Sequence, residues 1–151
     1  MLTPCTGTVE TPWGRLFVIV GERGLQRVQF DAPDGPALAG AWAEAFAAYL
    51  AQQPFPPDLP VDLTGLPPFA ARVLAACREI PCGHTMTYGA LAAAVGAPGA
   101  ARAVGQVMAR NPVPLVIPCH RVLGAGGRLT GFSGGLAWKR ALLAHEGVEI
   151  G

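Results

Sequence analysis

The most constraining feature of this sequence is residues 111–122, a proline-rich segment that ends in a cysteine, a histidine, an arginine and a valine. Pro112, Pro114 and Pro118 each fix the φ angle and exclude a helix. The segment is therefore predicted to be stiff and extended. It would hold the thiol of Cys119 at a set place in the fold.

Cys119 has apolar neighbours, and burial of a thiol raises its pKa and makes it a poor nucleophile. A reactive Cys119 therefore needs activation, for which His120 offers a base and Arg121 a positive charge. Side chains of neighbouring residues in an extended segment point to opposite faces, so contact between Cys119 and His120 requires a turn at Cys119 or a bridging water. An inert core cysteine is the ordinary alternative, but the flanking proline and histidine favour a reactive one.

Composition narrows the class of protein. With 151 residues, of which 51% are hydrophobic and 14% charged, the chain suits one domain of ordinary size, or one main domain with a small appendage. It has no membrane-length apolar run and no signal-peptide pattern at its N-terminus, so we expect a cytoplasmic location away from membranes. The four cysteines show no disulfide-dense spacing and no CxxC motif, which predicts free thiols and neither a metal nor another cofactor.

The net charge of +1 hides an asymmetry between the two halves of the chain. Residues 1–65 carry three basic and seven acidic side chains, a net charge of −4, whereas residues 66–151 carry eight basic and three acidic ones, a net charge of +5. The basic half contains Cys119, which favours a polyanionic partner. Arginine supplies ten of the eleven cations, and genomic base composition explains that equally well.

The first half of the chain has the pattern of a sheet followed by a helix. Residues 8–30 contain apolar, β-branched runs separated by glycine turns, which predicts a small antiparallel sheet. Residues 37–51 are rich in alanine with aromatic residues at helical spacing, which predicts a helix packed on that sheet. The proline-studded residues 52–68 are predicted to be an extended linker.

The second half of the chain has the pattern of several helices. Residues 69–79 are predicted to form one, and residues 88–95 and 100–109 two more, joined by a four-residue Gly/Pro break of the size found in a helix-turn-helix. Two alanine-rich helices joined by a turn are also common outside DNA-binding proteins.

The last predicted helix spans residues 136–145, and its leucines, Leu136, Leu142 and Leu143, are expected to face inward. Glu146 follows at the helix C-terminus, where the helix dipole disfavours a carboxylate. A specific partner is needed to hold it there, and His120 is the obvious one. A carboxylate bound to one ring nitrogen of His120 would fix the tautomer and make the other nitrogen a better base.

The segment Ile117–Val122 resembles the active-site signature of the O6-alkylguanine-DNA alkyltransferases, repair proteins that accept an alkyl group onto a cysteine. Further segments match in the family's order and spacing, namely residues 80–89, 101–105, 111–112, 131–135 and 139–146. The resemblance is specific from about Phe69 to Gly147 and loose before that.

This resemblance implies an α+β fold of two domains. Residues 1–65 would form a small N-terminal α/β domain, RNase H-like, with an antiparallel sheet and the linker. Residues 66–151 would form a mostly helical domain that binds DNA through a winged-helix-like helix-turn-helix and carries the alkyl acceptor.

The resemblance also implies the reaction, in which the thiolate of Cys119 attacks the alkyl carbon on guanine O6 and guanine leaves. The thioether product cannot be reversed by ordinary thiols, so each molecule would act once, as a transferase. Double-stranded DNA containing O6-alkylguanine is the expected partner, with O4-alkylthymine as a second candidate substrate. A monomer is expected.

Roles for individual residues follow by the same resemblance. His120 and Glu146 would activate Cys119 through a water, Asn111 would hold the active-site turn, and Tyr88 would donate a proton or hydrogen bond to the base. Arg102, on the second helix of the pair, would replace the base that is flipped out from the minor-groove side. Ser133 would donate toward O6, and the other predicted substrate or DNA contacts are Ala101, Gly105, Pro114, Arg121 and Val122.

Some features leave alternatives open. Small residues such as Ala101 and Gly105 suit close approach to DNA, but tight packing within the protein would explain them equally well. Phe132 stands where some family members have tyrosine, and no histidine–cysteine cluster accompanies Cys5, so the zinc of some members is not expected.

Two other classes of protein remain as alternatives. A cysteine hydrolase would need an oxyanion hole and would turn over an ester. A helix-turn-helix regulator would bind specific duplexes even after Cys119→Ser.

Overall fold

The structure is a computed structural model that describes residues 3–149, and it divides into two compact units. The first unit ends at Thr64 and the second begins at Gly65. The fold is mixed α and β, with an antiparallel sheet and several helices, as predicted. Within the described range, the helices are all too short or too polar to cross a membrane.

The first unit is built on a three-stranded antiparallel sheet in the order β1-β2-β3. The strands are β1 (Cys5–Thr11), β2 (Gly14–Gly21) and β3 (Gly24–Gln29), and they are followed by the helix α1 (Ala41–Leu50). Alternate residues of β2 are buried, as period-two burial in a half-covered sheet requires. The aromatic stripe on α1, formed by Trp42, Phe46 and Tyr49, is at most 2% exposed and belongs to the core.

Helix α1 begins four residues later than the sequence predicts. Residues 36–38 instead pair with β1, because the amide of Thr8 donates to the carbonyl of Pro36 at 2.8 Å and the amide of Leu38 donates to the carbonyl of Thr8 at 2.9 Å. Gly40 then turns the chain into the helix with a φ of 90°. A tertiary pairing therefore overrides the helix propensity of this stretch.

The segment predicted to be an extended linker is partly attached to the sheet. The amide of Leu25 donates to the carbonyl of Pro60 at 3.0 Å, and the amide of Asp62 donates to the carbonyl of Leu25 at 2.9 Å. Phe55 stacks on Tyr49, with ring centroids 4.8 Å apart. These contacts make residues 55–62 part of the first unit.

The second unit consists of four α-helices and a two-stranded parallel ladder. Its elements in chain order are α2 (Pro68–Arg78), β4 (Met86–Thr87), α3 (Tyr88–Ala94), α4 (Ala101–Ala109), β5 (Val122–Leu123) and α5 (Leu136–His145). Helices α2, α3 and α4 pack on one another. Helix α3 begins after Thr87, whose hydroxyl accepts a hydrogen bond from the amide of Ala90 at 3.0 Å.

Helix α5 has the predicted bounds but not the whole predicted inner face. Leu142 and Leu143 are fully buried, whereas Leu136 is 43% exposed. Leu136 is the first residue of α5, where the inward face is taken instead by Trp138 and Lys139. The expectation that Leu136 packs inward was wrong.

Candidate active site

Residues 111–118 form a folded turn and not the extended path that the prolines predicted. Leu115 has a φ of 73° although it is not glycine, so the chain reverses there. Asn111 holds the two sides together, because its Nδ2 donates to the carbonyl of Ile117 at 2.8 Å and its Oδ1 accepts from the amide of Val113 at 3.0 Å. A buried asparagine can satisfy a turn in this way because its side chain both donates and accepts.

The chain turns again at the cysteine, which is one of the two options that the sequence left open. Residues Cys119–Arg121 form a single 3-10 turn, with the amide of Arg121 donating to the carbonyl of Pro118 at 2.9 Å. Cys119 is 3% exposed. Burial raises the pKa of its thiol to about 11, although a hydrogen bond from Asn111 and the positive charge of Lys139 oppose this. At rest Cys119 is therefore a thiol and not a thiolate.

The structure brings His120 and Glu146 together, 26 residues apart in sequence. The Nε2 of His120 lies 2.7 Å from Oε2 of Glu146, and both side chains are at most 1% exposed. Burial lowers the pKa of His120 despite the carboxylate. For Glu146 burial acts to raise the pKa, but hydrogen bonds from His120 and Arg121 outweigh it and bring the pKa to about 2.

A neutral imidazole beside an ionised carboxylate has only one arrangement that satisfies both groups. The carboxylate cannot donate, so Nε2 must carry the hydrogen and Nδ1 the lone pair. Nδ1 is buried and has no hydrogen-bond partner among residues 3–149. The geometry therefore leaves one basic nitrogen of His120, next to Cys119 in the chain.

Arg121 is also buried, at 6% exposure, and its guanidinium braces Glu146. Its Nε donates to Oε1 of Glu146 at 2.7 Å and its Nη2 to Oε2 at 2.9 Å, a bidentate pairing. Arg121 also donates to the carbonyl of Ile80 and, at 3.0 Å, to the sulfur of Cys82. These contacts tie the loop after α2 to the end of α5.

A cavity of about 550 Å³ opens beside Cys119. Its lining comes from helices α3 and α4, the cysteine turn and the loop before α5, and comprises Tyr88, Ala101, Arg102, Gly105, Gln106, Met108, Ala109, Cys119, Thr130, Gly131, Phe132 and Ser133. Five of the residues predicted to contact the substrate or DNA therefore line the same cavity as Cys119, namely Tyr88, Ala101, Arg102, Gly105 and Ser133. Pro114, Arg121 and Val122 are buried and are not part of this lining, so their predicted contact with the substrate stays a prediction.

The structure shows whether packing within the protein requires glycine at position 105. An added Cβ at this position would lie 4.0 Å from the ring of Tyr88, an ordinary van der Waals contact. Packing within the protein therefore does not require glycine here. That Gly105 gives space for close approach of DNA on the cavity side of α4 stays a prediction.

The sequence did not single out two residues of the site. Thr130 lies in the loop before α5, and its Oγ1 is 2.9 Å from the hydroxyl of Tyr88. Lys139 is fully buried and donates to the carbonyl of Val122 at 2.9 Å. Burial lowers the pKa of Lys139. Lys139 could have been noticed in the sequence because it is the only lysine of the chain. A threonine in a glycine-rich loop, such as Thr130, gives no such indication.

Groups of three or more histidine, cysteine or acidic side chains that could hold a metal ion do not occur in the described part of the chain. The cysteines in that range are all free thiols.

Comparisons with known proteins match this architecture. The family model described as "6-O-methylguanine DNA methyltransferase, DNA binding domain" matches residues 68–148. The methylated-DNA--protein-cysteine methyltransferase of Salmonella typhimurium is 48% identical over 127 residues, which are 84% of this chain and 71% of that protein. The protein of the same name from Mycolicibacterium paratuberculosis is 50% identical over 110 residues, which are 73% of this chain and 66% of that protein.

A solved structure extends the similarity to the fold. The crystal structure of Mycobacterium tuberculosis OGT in complex with DNA superimposes with a TM-score of 0.81 and 38% sequence identity, over 93% of this chain and 91% of that one. Both units contribute to a match of this coverage. From the family match and these relatives, the chain belongs to the 6-O-methylguanine DNA methyltransferase family.

Proposed function

We propose that this protein repairs DNA by direct reversal, taking the alkyl group from O6-alkylguanine onto Cys119 in a single turnover. The observation that carries this proposal is the Cys119 thiol in a cavity formed jointly by α4 and the loop of residues 130–133. The names of the relatives, methylated-DNA--protein-cysteine methyltransferase, support the same reaction.

The reaction is a displacement at carbon. A bond forms between the sulfur of Cys119 and the alkyl carbon, the bond from that carbon to O6 breaks, and its electron pair stays on guanine. The proton of the thiol is lost and guanine gains one, so the products are a neutral thioether and a neutral base. No oxidant, reductant or cofactor is required.

The electrostatics of the site fit this sequence of events. With a pKa of about 11, the thiol of Cys119 needs a base at the moment of attack. His120 is neutral because burial lowers its pKa, and Glu146 is ionised because its pKa is about 2. We assign Nδ1 of His120 as the acceptor of the thiol proton, through an intervening water, and Glu146 as the group that stabilises the resulting imidazolium.

Other residues of the site hold Cys119 and Glu146 in position or donate hydrogen bonds to the substrate. Asn111 holds the turn that presents Cys119. Tyr88 donates to the base as negative charge develops on it, and Ser133 donates toward O6, since both line the cavity. The contacts of Arg121 favour a supporting role, because its guanidinium fixes both carboxylate oxygens of Glu146.

A base inside a duplex cannot reach a thiol in a pocket, so we propose that the nucleotide is flipped out. The packing of α3 on α4 and the short turn between them support a helix-turn-helix, and we propose that α4 inserts from the minor-groove side. Arg102 is exposed on α4 and lines the cavity, which suits a side chain that fills the place of the flipped base. The net charge of +5 on residues 66–151 also favours DNA as the partner, because DNA is a polyanion.

We further propose the fold type of each domain, the oligomeric state, the location in the cell and a second substrate. The order β1-β2-β3-α1 supports an RNase H-like N-terminal domain over residues 1–65, and three packed helices with a small ladder support a winged-helix-like domain over residues 66–151. The protein would act as a monomer in the cytoplasm and would be associated with the nucleoid when it is bound to DNA. O4-alkylthymine is proposed as a second substrate because the same cavity would face its alkyl group.

The proposed function is tested by identifying the alkylated atom. The protein is incubated with duplex DNA containing O6-methylguanine and with the unmodified duplex, and is then digested for peptide mass mapping. We expect one added methyl on the peptide with Cys119, only with the modified duplex. Cys119→Ala should abolish transfer and still bind DNA, since it removes no phosphate contact. Methylation of a different residue, or turnover of an ester by Cys119, would refute the proposal.

A further inference from the structure

The hydroxyl of Tyr88 has a protein partner inside the cavity. It lies 2.9 Å from Oγ1 of Thr130, which is 42 residues away in the sequence and lines the same cavity as Cys119. The distance is that of an ordinary O–H···O hydrogen bond. Thr130 thus contacts the one phenol that faces the position proposed for the flipped base.

Thr130 is itself held in place from other directions. Its carbonyl accepts a hydrogen bond at 3.4 Å from Nζ of Lys139, which also donates to the carbonyl of Val122. Its methyl group packs over Gly124 so closely that a Cβ on Gly124 would lie 2.7 Å from it. Because Lys139 is fully buried, this support does not depend on a flexible surface side chain.

The direction of the hydrogen bond follows from the number of hydrogens. Tyr88 has a single hydroxyl hydrogen, and it cannot donate this hydrogen both to Thr130 and to a base. A tyrosine that donates to the base must therefore accept from Thr130. Donation by Thr130 also stabilises the phenol oxygen while that oxygen gives up its proton, because hydrogen bonds in a chain strengthen one another.

We propose that Thr130 is a positioning residue for alkyl transfer, which directs the hydroxyl hydrogen of Tyr88 into the cavity and supports Tyr88 as a donor to the leaving base. This inference rests on the proposed function. It predicts that the hydroxyl of Thr130 affects the chemical step through Tyr88 and not the affinity for DNA.

The experiment is a double-mutant cycle on the single-turnover rate of transfer at saturating O6-methylguanine duplex. We expect Thr130→Val to lower the rate about tenfold. This is less than the roughly 10²–10⁴-fold effect of a direct general acid, because Thr130 acts through Tyr88. Thr130→Ser, which keeps the hydroxyl, should stay within about threefold of the unmodified protein. In a Tyr88→Phe background, Thr130→Val should have no further effect. The DNA dissociation constant should not change.

Controls separate this outcome from a loss of folding. Thr6→Val makes the same substitution at an exposed threonine of the first unit and should leave the rate unchanged. Thr130→Ala provides a second, smaller variant without the hydroxyl, in case valine is not accommodated over Gly124. It should lower the rate as Thr130→Val does.

Several results would overturn the inference. A Thr130→Val or Thr130→Ala protein that transfers at the original rate would show that the hydroxyl is not used. An equal loss in the Tyr88→Phe background would show that Thr130 does not act through Tyr88, and a weaker DNA affinity at an unchanged rate would assign it to binding. If the unmodified protein leaves no thioether on Cys119, the proposed function itself fails, and that result is distinct from the others.

Discussion

The thiol of Cys119 is buried and protonated at rest, and the side chains of His120, Arg121, Glu146 and Lys139 are buried as well. The arrangement stores no reactive thiolate, because burial raises the pKa of Cys119 to about 11. We propose that activation comes from the neutral imidazole of His120 and the ionised Glu146 when the alkyl group is in place. A thiol of this kind is protected from solution electrophiles and oxidants, which react with thiolates.

The acid limb of the stability profile should report on Glu146. Its pKa falls from 4.5 to about 2 on folding, so its stabilising contribution is present above pH 4.5 and is lost as the pH falls toward 2. The lowered pKa of His120 acts in the same direction at higher pH. We expect the free energy of unfolding, measured with denaturant, to fall by about 3 kcal/mol over this interval.

Glu146→Gln provides the control for that measurement. The variant should be less stable at neutral pH, because the buried charge of Arg121 loses the opposite charge of the carboxylate. Its free energy of unfolding should depend much less on pH between 4.5 and 2 than that of the unmodified protein. Parallel profiles for the two proteins would show that Glu146 does not carry the dependence.

At the scale of elements, α4 is the helix whose composition most clearly serves the cavity. Gly105 lies within this helix, where glycine costs about 1 kcal/mol relative to alanine. Gly105→Ala should therefore raise the melting temperature by about 2–4 °C. It should also slow repair of duplex DNA at least about tenfold, because a methyl group enters space that the base or DNA needs.

Gly89→Ala is the matched control for this prediction. Gly89 lies in α3, and its added Cβ would meet only the hydroxyl of Thr87, at 4.0 Å. It does not line the cavity. This variant should keep the original repair rate. A Gly105→Ala protein that repairs duplex DNA at full speed would remove the case for close approach along α4.

Arg102 should matter for extrusion of the base and not for the chemistry. We expect Arg102→Ala to slow repair of duplex DNA by at least about tenfold more than reaction with a free O6-benzylguanine base, which needs no flipping. Arg140→Ala removes an exposed arginine of α5 outside the cavity and should leave that ratio unchanged. Equal losses on both substrates for Arg102→Ala would contradict the role.

The elements themselves were largely predictable because glycine and proline mark their ends. Helix α5 has the predicted bounds, and α3 and α4 differ by about one residue. The errors lie where contacts between residues distant in sequence determine the local structure, as in the pairing of residues 36–38 with β1. The reversal at Leu115 was missed for the same reason, since its positive φ is sustained by the Asn111 hydrogen bonds.

The site was predictable from a short contiguous signature and less so from distant residues. His120 and Glu146 could be paired because a carboxylate at a helix C-terminus needs a partner. Thr130 and Tyr88 meet only through the packing of a loop against α3, which no local pattern indicates.

For the whole molecule, we expect repair to lower stability through the placement of Cys119. Cys119 lines the cavity but is only 3% exposed, so we expect a methyl group on its sulfur to overpack the neighbouring side chains, at a cost of about 1–3 kcal/mol. It also replaces a hydrogen-bonding thiol by a thioether. We expect the methylated protein to melt about 3–10 °C lower than the unmodified protein in the same buffer, with a larger decrease for a benzyl adduct.

Loss of stability should be accompanied by weaker DNA binding, because α4 shares the cavity with the alkylated sulfur. Limited proteolysis of the two forms would detect the loosening independently of melting. An unchanged or higher melting temperature after complete methylation would show that the cavity accommodates the product without strain.

One alkyl group should move from guanine to Cys119 in each molecule. Titration of the protein with duplex DNA that carries O6-methylguanine with an isotopically labelled methyl group measures this stoichiometry. We expect label to accumulate on Cys119 until each chain carries one methyl group, with an equal amount of guanine restored. Excess DNA should add no more label, as a single transfer per molecule requires. Continued turnover beyond one methyl per chain, or label on Cys119 without restored guanine, would contradict it.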